Sequence, residues 1–187
     1  MKKPKSFKFI SFNYTMPEKI DKQKCPVCNE KALELTEQSY KIPHFGKCFL
    51  MVMNCNSCKY HSSDIQSEET HPPAKITFEV TKKEDMNVRV IKSAQADVKI
   101  PQLKMSMTSG PNSIGFLTNV EGLLKRFKNI IESQRDNAED STIRKKAKNL
   151  LKKLWKVELG EMKLKIIIED STGNSAILSD KATIKKL

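Results

Sequence analysis

With 187 residues the chain can bury one substantial core and a small satellite, so one or two unequal domains are expected. No run approaches the roughly 18 to 20 consecutive apolar residues of a membrane-spanning helix, and the lysines after Met1 lead into no apolar leader core, which together read as a cytoplasmic protein without a membrane partner. Thirty-four Lys and Arg against 22 Asp and Glu leave a net charge of +12, which brings an acidic partner into view, nucleic acid or an acidic protein face, beside the plainer reading of lysines that only solvate the surface.

Residues 1–20 form an N-terminal segment without an assigned element, although Phe7, Phe9, Phe12 and Tyr14 suggest that it docks on the rest of the chain. Four of the five cysteines then fall into two CxxC pairs, Cys25-Pro26-Val27-Cys28 and Cys55-Asn56-Ser57-Cys58. Two residues between thiolates let both point into one small volume, so each pair supplies half a tetrahedron. The 26 residues between Cys28 and Cys55 suffice for two strands and a return. This is the spacing of a zinc ribbon, expected over residues 21–70, with one Zn²⁺ on Cys25, Cys28, Cys55 and Cys58. Four thiolates saturate zinc, so the metal is structural; an iron site or a redox dithiol pair is the rival reading. Leu33 and Leu35 alternate with polar neighbours, Phe49 to Met53 is strand-like, and Pro43 and Gly46 mark the return between them. Cys48 reads as a small buried hydrophobe, and His44, His61 and His71 as surface or supporting residues beside a completed ligand set.

A polar, proline-containing stretch from Ser62 to Pro73 leads into a second domain over residues 71–187. There Ile76, Phe78 and Val80 alternate with polar residues, Val88 to Ile91 and Val98 to Leu103 read as strands, and residues 109–115 as a loop. Thr118 to Glu121 has capping-box spacing, followed by Val120, Leu123, Leu124, Phe127, Ile130 and Ile131 at helical intervals. After a polar break, Ile143, Ala147, Leu150, Leu151, Leu154 and Trp155 form a second apolar stripe. A helical hairpin at about residues 118–156 therefore interrupts a β domain that resumes at Met162 to Ile168, turns at Asp170 to Asn174 and ends with Ala176 to Leu178. Between Gly122 and Lys156, eleven Lys or Arg face four Asp or Glu. Arg144, Lys145, Lys146, Lys148, Lys152, Lys153 and Lys156 could meet phosphates, but with Trp155 assigned to the apolar stripe no stacking set accompanies them, and a solvated helix face is the preferred reading over RNA binding. No Ser/His/Asp set, phosphate-binding glycine loop or histidine cluster stands out, so the chain is read as a binding protein and not an enzyme.

The stretches CPVC, YKIPHFGK, CNSCKYHSSDI, VRVIKS, IPQL, LTNVEGLL and IEDSTGNSAI run from residue 25 to residue 177, and in this order they resemble the ZPR-type zinc-finger family in its single-copy archaeal form. Thr118-Asn119 stands where the family has a threonine pair, Glu169-Asp170 where it has Asp-Asp, and Ser171-Thr172 where it has a proline-containing pair. The resemblance implies a fold that is mainly β, a zinc ribbon joined to a double-stranded β-helix with an inserted α-hairpin. It also implies a partner: eukaryotic members, which carry the unit twice, bind translation elongation factor one-alpha, the GTPase that delivers aminoacyl-tRNA, and help it to fold. The docking residues expected on that basis are the polar ones in matched stretches taken as exposed, Arg89, Lys92 and Ser93, with His61, Ser62 and Asp64 beside the second CxxC. Against this, Asp64 and Ser93 can be read as satisfying turn or backbone hydrogen bonds, Gly173-Asn174-Ser175 as a plain turn, and Glu121 as a helix cap.

Overall fold

The computed structural model describes residues 16–42, 46–69 and 71–187. The aromatic cluster expected at Phe7 to Tyr14, and His44, lie outside the described residues. The chain begins as a four-stranded antiparallel ribbon, with β1 (Glu18–Gln23), β2 (Leu33–Ile42), β3 (Gly46–Cys55) and β4 (His61–Ser67) side by side in chain order. The β2–β3 hairpin holds an unbroken register from Leu33 opposite Cys55 to Ile42 opposite Gly46. That register returns the second CxxC to the level of the first.

Eight strands follow: β5 (Ala74–Val80), β6 (Arg89–Lys92), β7 (Asp97–Ile100), β8 (Met105–Met107), β9 (Phe116–Asn119), β10 (Leu164–Asp170), β11 (Ala176–Ile177) and β12 (Thr183–Lys186). They form a five-stranded sheet in the order β12-β5-β10-β7-β8 and a three-stranded sheet in the order β11-β6-β9. Two antiparallel sheets of eight strands with long crossings between them make a jelly roll, the double-stranded β-helix under another name. Period-2 alternation drives the packing. In β5, Ile76, Phe78 and Val80 face the core, and in β10 Leu164, Ile166 and Ile168 meet them, which carries Asp170 to the same inward side at the strand's end.

Between β9 and β10 stand two helices, α1 (Val120–Asn137) and α2 (Ser141–Glu158). The N-cap of α1 is Asn119, whose Oδ1 accepts the Gly122 N–H at 2.8 Å, so the expected Thr118 capping box gives way to an asparagine cap and Glu121 lies in the first turn. Val120, Leu123, Leu124, Phe127 and Ile131 bury the inner face of α1. Ala147, Leu154 and Val157 bury that of α2, with Leu150 and Leu151 half-buried. Two residues expected on that stripe do not belong to it: Ile143 is 49% exposed and Trp155 58% exposed. Each residue advances about 100° around a helix, and Trp155 follows the buried Leu154 directly, so its ring is carried to the solvent side of the stripe while Val157 takes the inner position. No helix among the described residues is long and apolar enough to cross a membrane.

Other differences have local causes. Val98 to Leu103 is a strand only as far as Ile100, because Pro101 lacks an N–H for the ladder and opens a 3₁₀ turn over Pro101–Leu103. The expected linker after Ser62 is β4 for its first half. Only Ser63 and Ile65 of that strand are buried, so its sequence shows no apolar alternation.

Strand β4 also joins the ribbon to the jelly roll. Cys48 and Ile65 pack against Ile91 and Ala176, with Tyr40, Leu50, Leu117 and Leu178 around them, and burial pushes the Cys48 thiol up to about 11, as befits a core residue. Ser63 and Gly115 exchange two hydrogen bonds, Gly115 N–H to Ser63 O at 2.7 Å and Ser63 Oγ to Gly115 O at 2.6 Å. A Cβ on Gly115 would stand 2.7 Å from Asp64 Oδ1 and 2.9 Å from the Ile65 backbone nitrogen. Gly115→Ala is therefore expected to separate β4 from the jelly roll and cost about 1 to 3 kcal/mol of stability in urea unfolding. An unchanged midpoint would show that the junction is not tightly packed there.

Candidate metal centre and the cleft beside it

The two CxxC turns are built alike. In the first, Cys25 N–H donates to Glu30 O at 2.9 Å and Asn29 N–H to Cys25 O at 3.0 Å; in the second, Cys55 N–H donates to Tyr60 O at 2.8 Å and Lys59 N–H to Cys55 O at 3.1 Å. Asn29 and Lys59, each directly after the second cysteine of its pair, both take left-handed conformations with φ of 61°. Asn56 N–H donates to Ala32 O at 2.9 Å and ties one knuckle to the other.

The four Sγ atoms lie within 4.8 Å of one another, with Cys25–Cys58 and Cys28–Cys55 both at 3.7 Å. A tetrahedron of Zn–S bonds of about 2.3 Å has edges of about 3.8 Å, so the spacing fits one zinc ion. Electrostatics agree. Burial pushes the Cys25 thiol up, but the N–H groups of Cys28 and Val27 near its sulfur outweigh that and bring it down to about 7. At Cys58 the Tyr60 N–H likewise lowers the thiol's pKa, but desolvation and the three neighbouring sulfurs outweigh it and raise it to about 12. Four sulfurs this close do not all ionise unless a cation stands among them. Cys25, Leu33 and Cys55 are the buried core of this end of the ribbon, with Leu35, Met53 and Tyr60 around them. Four thiolates leave zinc no open position, and the chemistry the ion supplies is cross-linking of the two knuckles.

Of the six residues expected to dock a partner, the structure brings two together. Asp64 and Ser93 line a polar cleft of about 260 Å³ between β4 and the jelly roll, with Gln66, Ser67, Glu69, Gln95, Thr172 and Asn174. His61 is exposed on β4 with Nδ1 2.7 Å from Asn54 Oδ1, Ser62 is half-buried opposite Met53, and Arg89 opens β6 in an exposed position; none of the three lines the cleft. Lys92 and Ser93 correct the expectation of exposure, since each is only 2% exposed. Residues 90–92 of β6 are buried in succession because β6 is the central strand of its sheet, covered on both sides. Lys92 Nζ donates to Ser93 O at 3.0 Å and lies 5.6 Å from the Phe116 ring centre; burial lowers its pKa against the pull of Asp170, Asp97 and Asp64. Asp64 Oδ1 accepts the N–H groups of Ile65 at 2.8 Å and Ala94 at 3.0 Å, so the backbone-satisfying reading holds for it even as it lines the cleft.

Sequence reasoning missed Gln66, Gln95, Thr172 and Asn174. Asn174 is more than a turn residue, for its Oδ1 accepts the Ser67 N–H at 3.3 Å across 107 positions of sequence. Gly173, with φ of 69°, has the Pro72 carbonyl oxygen 2.6 Å from where a Cβ would stand. The signal available was that CNSCKYHSSDI, VRVIKS and IEDSTGNSAI, three of the stretches carrying the resemblance, each bring residues to or beside this cleft.

A zinc ribbon packed on a jelly roll with an inserted helical hairpin is thus the class of protein that fold and site define. Residues 20–73 match the ZPR1 zinc-finger domain and residues 84–186 the ZPR1 jelly-roll domain. The chain belongs to the ZPR1 family. It is 33% identical over 164 residues to a ZPR1-like protein of Methanocaldococcus jannaschii, covering 87% of this chain and 83% of that one, and 31% identical over 178 residues to one of Pyrococcus horikoshii, covering 91% and 80%. The zinc finger chaperone zpr1 of Schizosaccharomyces pombe is 31% identical over 140 residues, 73% of this chain but 30% of the yeast protein.

Proposed function

We propose that this protein docks on translation elongation factor one-alpha and assists its folding, and that the cleft between ribbon and jelly roll is the contact surface. The observation that carries the reading is the convergence on that cleft of stretches from three distant parts of the chain, all of them among those that resemble the family. The name of the fission yeast relative, a chaperone, supports the class of activity, and the resemblance supplies the GTPase as client. The reading places the protein in the cytoplasm, beside the translation machinery.

The cleft also differs from its surroundings in charge. Its lining includes the carboxylates of Asp64 and Glu69 and no cation, on a chain of net +12. Neither carboxylate forms an ion pair among the described residues. Amide side chains from Gln66, Gln95 and Asn174 complete a surface suited to a basic side chain presented by the client.

Calorimetric titration of the zinc-loaded protein with the elongation factor, bound first to GDP and then to a GTP analogue, is expected to show saturable binding with preference for one state. Gln66, Glu69 and Gln95 are exposed, so Glu69→Lys combined with Gln95→Arg is expected to weaken binding at least about tenfold without altering the fold. Absence of binding in both nucleotide states would overturn the reading of the partner. Binding unaffected by the double variant would overturn the cleft.

A further inference from the structure

The outer face of α2 combines two features that a solvated helix does not need together. The first is charge. Arg144, Lys145, Lys146, Lys148, Lys152, Lys153 and Lys156 are all exposed, and none forms an ion pair among the described residues. The second is Trp155, the chain's one tryptophan, 58% exposed in their midst. Lysines alone keep a surface soluble; a large ring held in water gives up burial that the core side of the same helix could have supplied.

Their positions on the helix are ordered. At about 100° per residue, Arg144, Lys148 and Lys152 recur every fourth position, and Trp155 follows three further on, so the four side chains share one band of the helix surface, which borders the buried stripe of Ala147, Leu154 and Val157 at Arg144 and turns away from it toward Lys152. The cations are spaced by about 6 Å of helix axis. Leu151 and Leu159, half-buried and exposed, flank the ring, which presents an aromatic face at the end of a row of positive charge. An acidic protein would complement the charge and leave the ring unexplained. A flexible anionic polymer that carries flat rings at regular intervals complements both.

We propose that the outer face of α2 binds single-stranded nucleic acid, stacking a base on Trp155 and seating the neighbouring phosphates on Arg144, Lys148 and Lys152. Contact of this kind is tolerant of sequence, because every base offers a stacking surface, and it weakens steeply with salt as counterions return to the freed strand. The surface is separate from the cleft and does not depend on the partner proposed for it.

Trp155 is its own reporter. The zinc-loaded full chain is titrated with oligouridylate of about twelve nucleotides while the intrinsic emission is followed, and polyglutamate of matched charge serves as the competing anion. The expected result is saturable quenching by the oligonucleotide alone, with affinity falling about tenfold to twentyfold between about 50 and about 200 mM salt if three phosphates are engaged. By anisotropy of a labelled oligonucleotide, Trp155→Ala is expected to weaken binding roughly tenfold or more and Trp155→Phe to restore part of the loss, while Lys148→Glu with Lys152→Glu lowers both affinity and salt slope. All three positions are exposed, so helicity by circular dichroism is expected to remain intact. Absence of binding at the lower salt, binding without change in Trp155 emission, or equal quenching by polyglutamate would each overturn the proposal, the last pointing to an acidic protein in place of nucleic acid.

Discussion

Removal of zinc with a strong chelator is expected to unfold the ribbon and leave the jelly roll standing. The ribbon end around the metal has little else to hold it: its buried core consists of Cys25, Leu33 and Cys55, two of which are ligands. Structural zinc in modules of this size is worth about 10 to 16 kcal/mol at neutral pH, far more than three buried side chains contribute. The jelly roll draws on a separate core of β5, β7 and β10 residues together with α1 and α2, none of which touches the knuckles. Hydrogen exchange should therefore show amides of β1 to β4 losing protection as one zinc per chain is released, while amides of β5 and β10 stay protected and Trp155 emission stays unchanged. Cys55→Ser, which removes a ligand that is also core, is expected to give the same pattern without chelator. Ribbon amides that remain protected after complete metal loss would refute the assignment of zinc as the element that holds this module.

The second large effect is expected at Asp170. This carboxylate is fully buried, and it accepts Thr172 N–H at 2.8 Å and Thr172 Oγ1 at 2.7 Å on one oxygen, and Ser93 Oγ at 2.9 Å and Ser175 Oγ at 2.5 Å on the other. Ser175 Oγ in turn accepts Ser93 N–H at 3.0 Å. One side chain thus fastens the end of β10 in the larger sheet to the end of β6 in the smaller, with Lys92 nearby as the compensating charge. Asp170→Ala strands three hydroxyls and leaves Lys92 buried without that compensation, at an expected cost of about 3 to 5 kcal/mol in urea unfolding. Asp170→Asn, which preserves the shape, should cost less. A loss under about 1 kcal/mol for the alanine variant would show that the network is not a fastening.

The same residue sets a pH dependence. Burial alone raises the Asp170 pKa, but the hydrogen bonds from Ser175, Thr172 and Ser93 outweigh it and the folded value is lowered. A carboxylate lowered on folding contributes its stability above the unfolded pKa and loses it as pH falls through the folded one, so the loss falls below about pH 4. Asp85, lowered likewise against its own burial by Lys181 and Thr81, adds to the same slope. Asp170→Asn is expected to flatten that part of the stability profile.

Much of this was legible in the sequence wherever one residue type had one physical reason to be there. The CxxC pairs announced the metal because little else requires that spacing twice, and the alternation of Ile76, Phe78 and Val80 announced a half-buried strand. The paired helices were legible for the same reason. β4 was not, because its pairing is written in backbone hydrogen bonds while its side chains are mostly polar. Lys92 and Ser93 run against the rule that polarity predicts exposure, because a buried carboxylate 77 positions away from Ser93 compensates both. Trp155 departs from the rule in the opposite direction. Its aromatic character suggested burial, and the helical phase, one residue past Leu154, decided otherwise.

The cleft is built like a vice with jaws of different manufacture. One jaw, β4, is a strand of the metal-bound ribbon, and the other, with Ser93, Thr172 and Asn174, belongs to the jelly roll. A newly made chain that has folded its larger body but has yet to acquire zinc owns one jaw only, and can grip nothing between the two. The surface proposed for the client is thus withheld until the metal arrives, and a shortage of zinc would reduce the number of working molecules before it reduced the number of molecules.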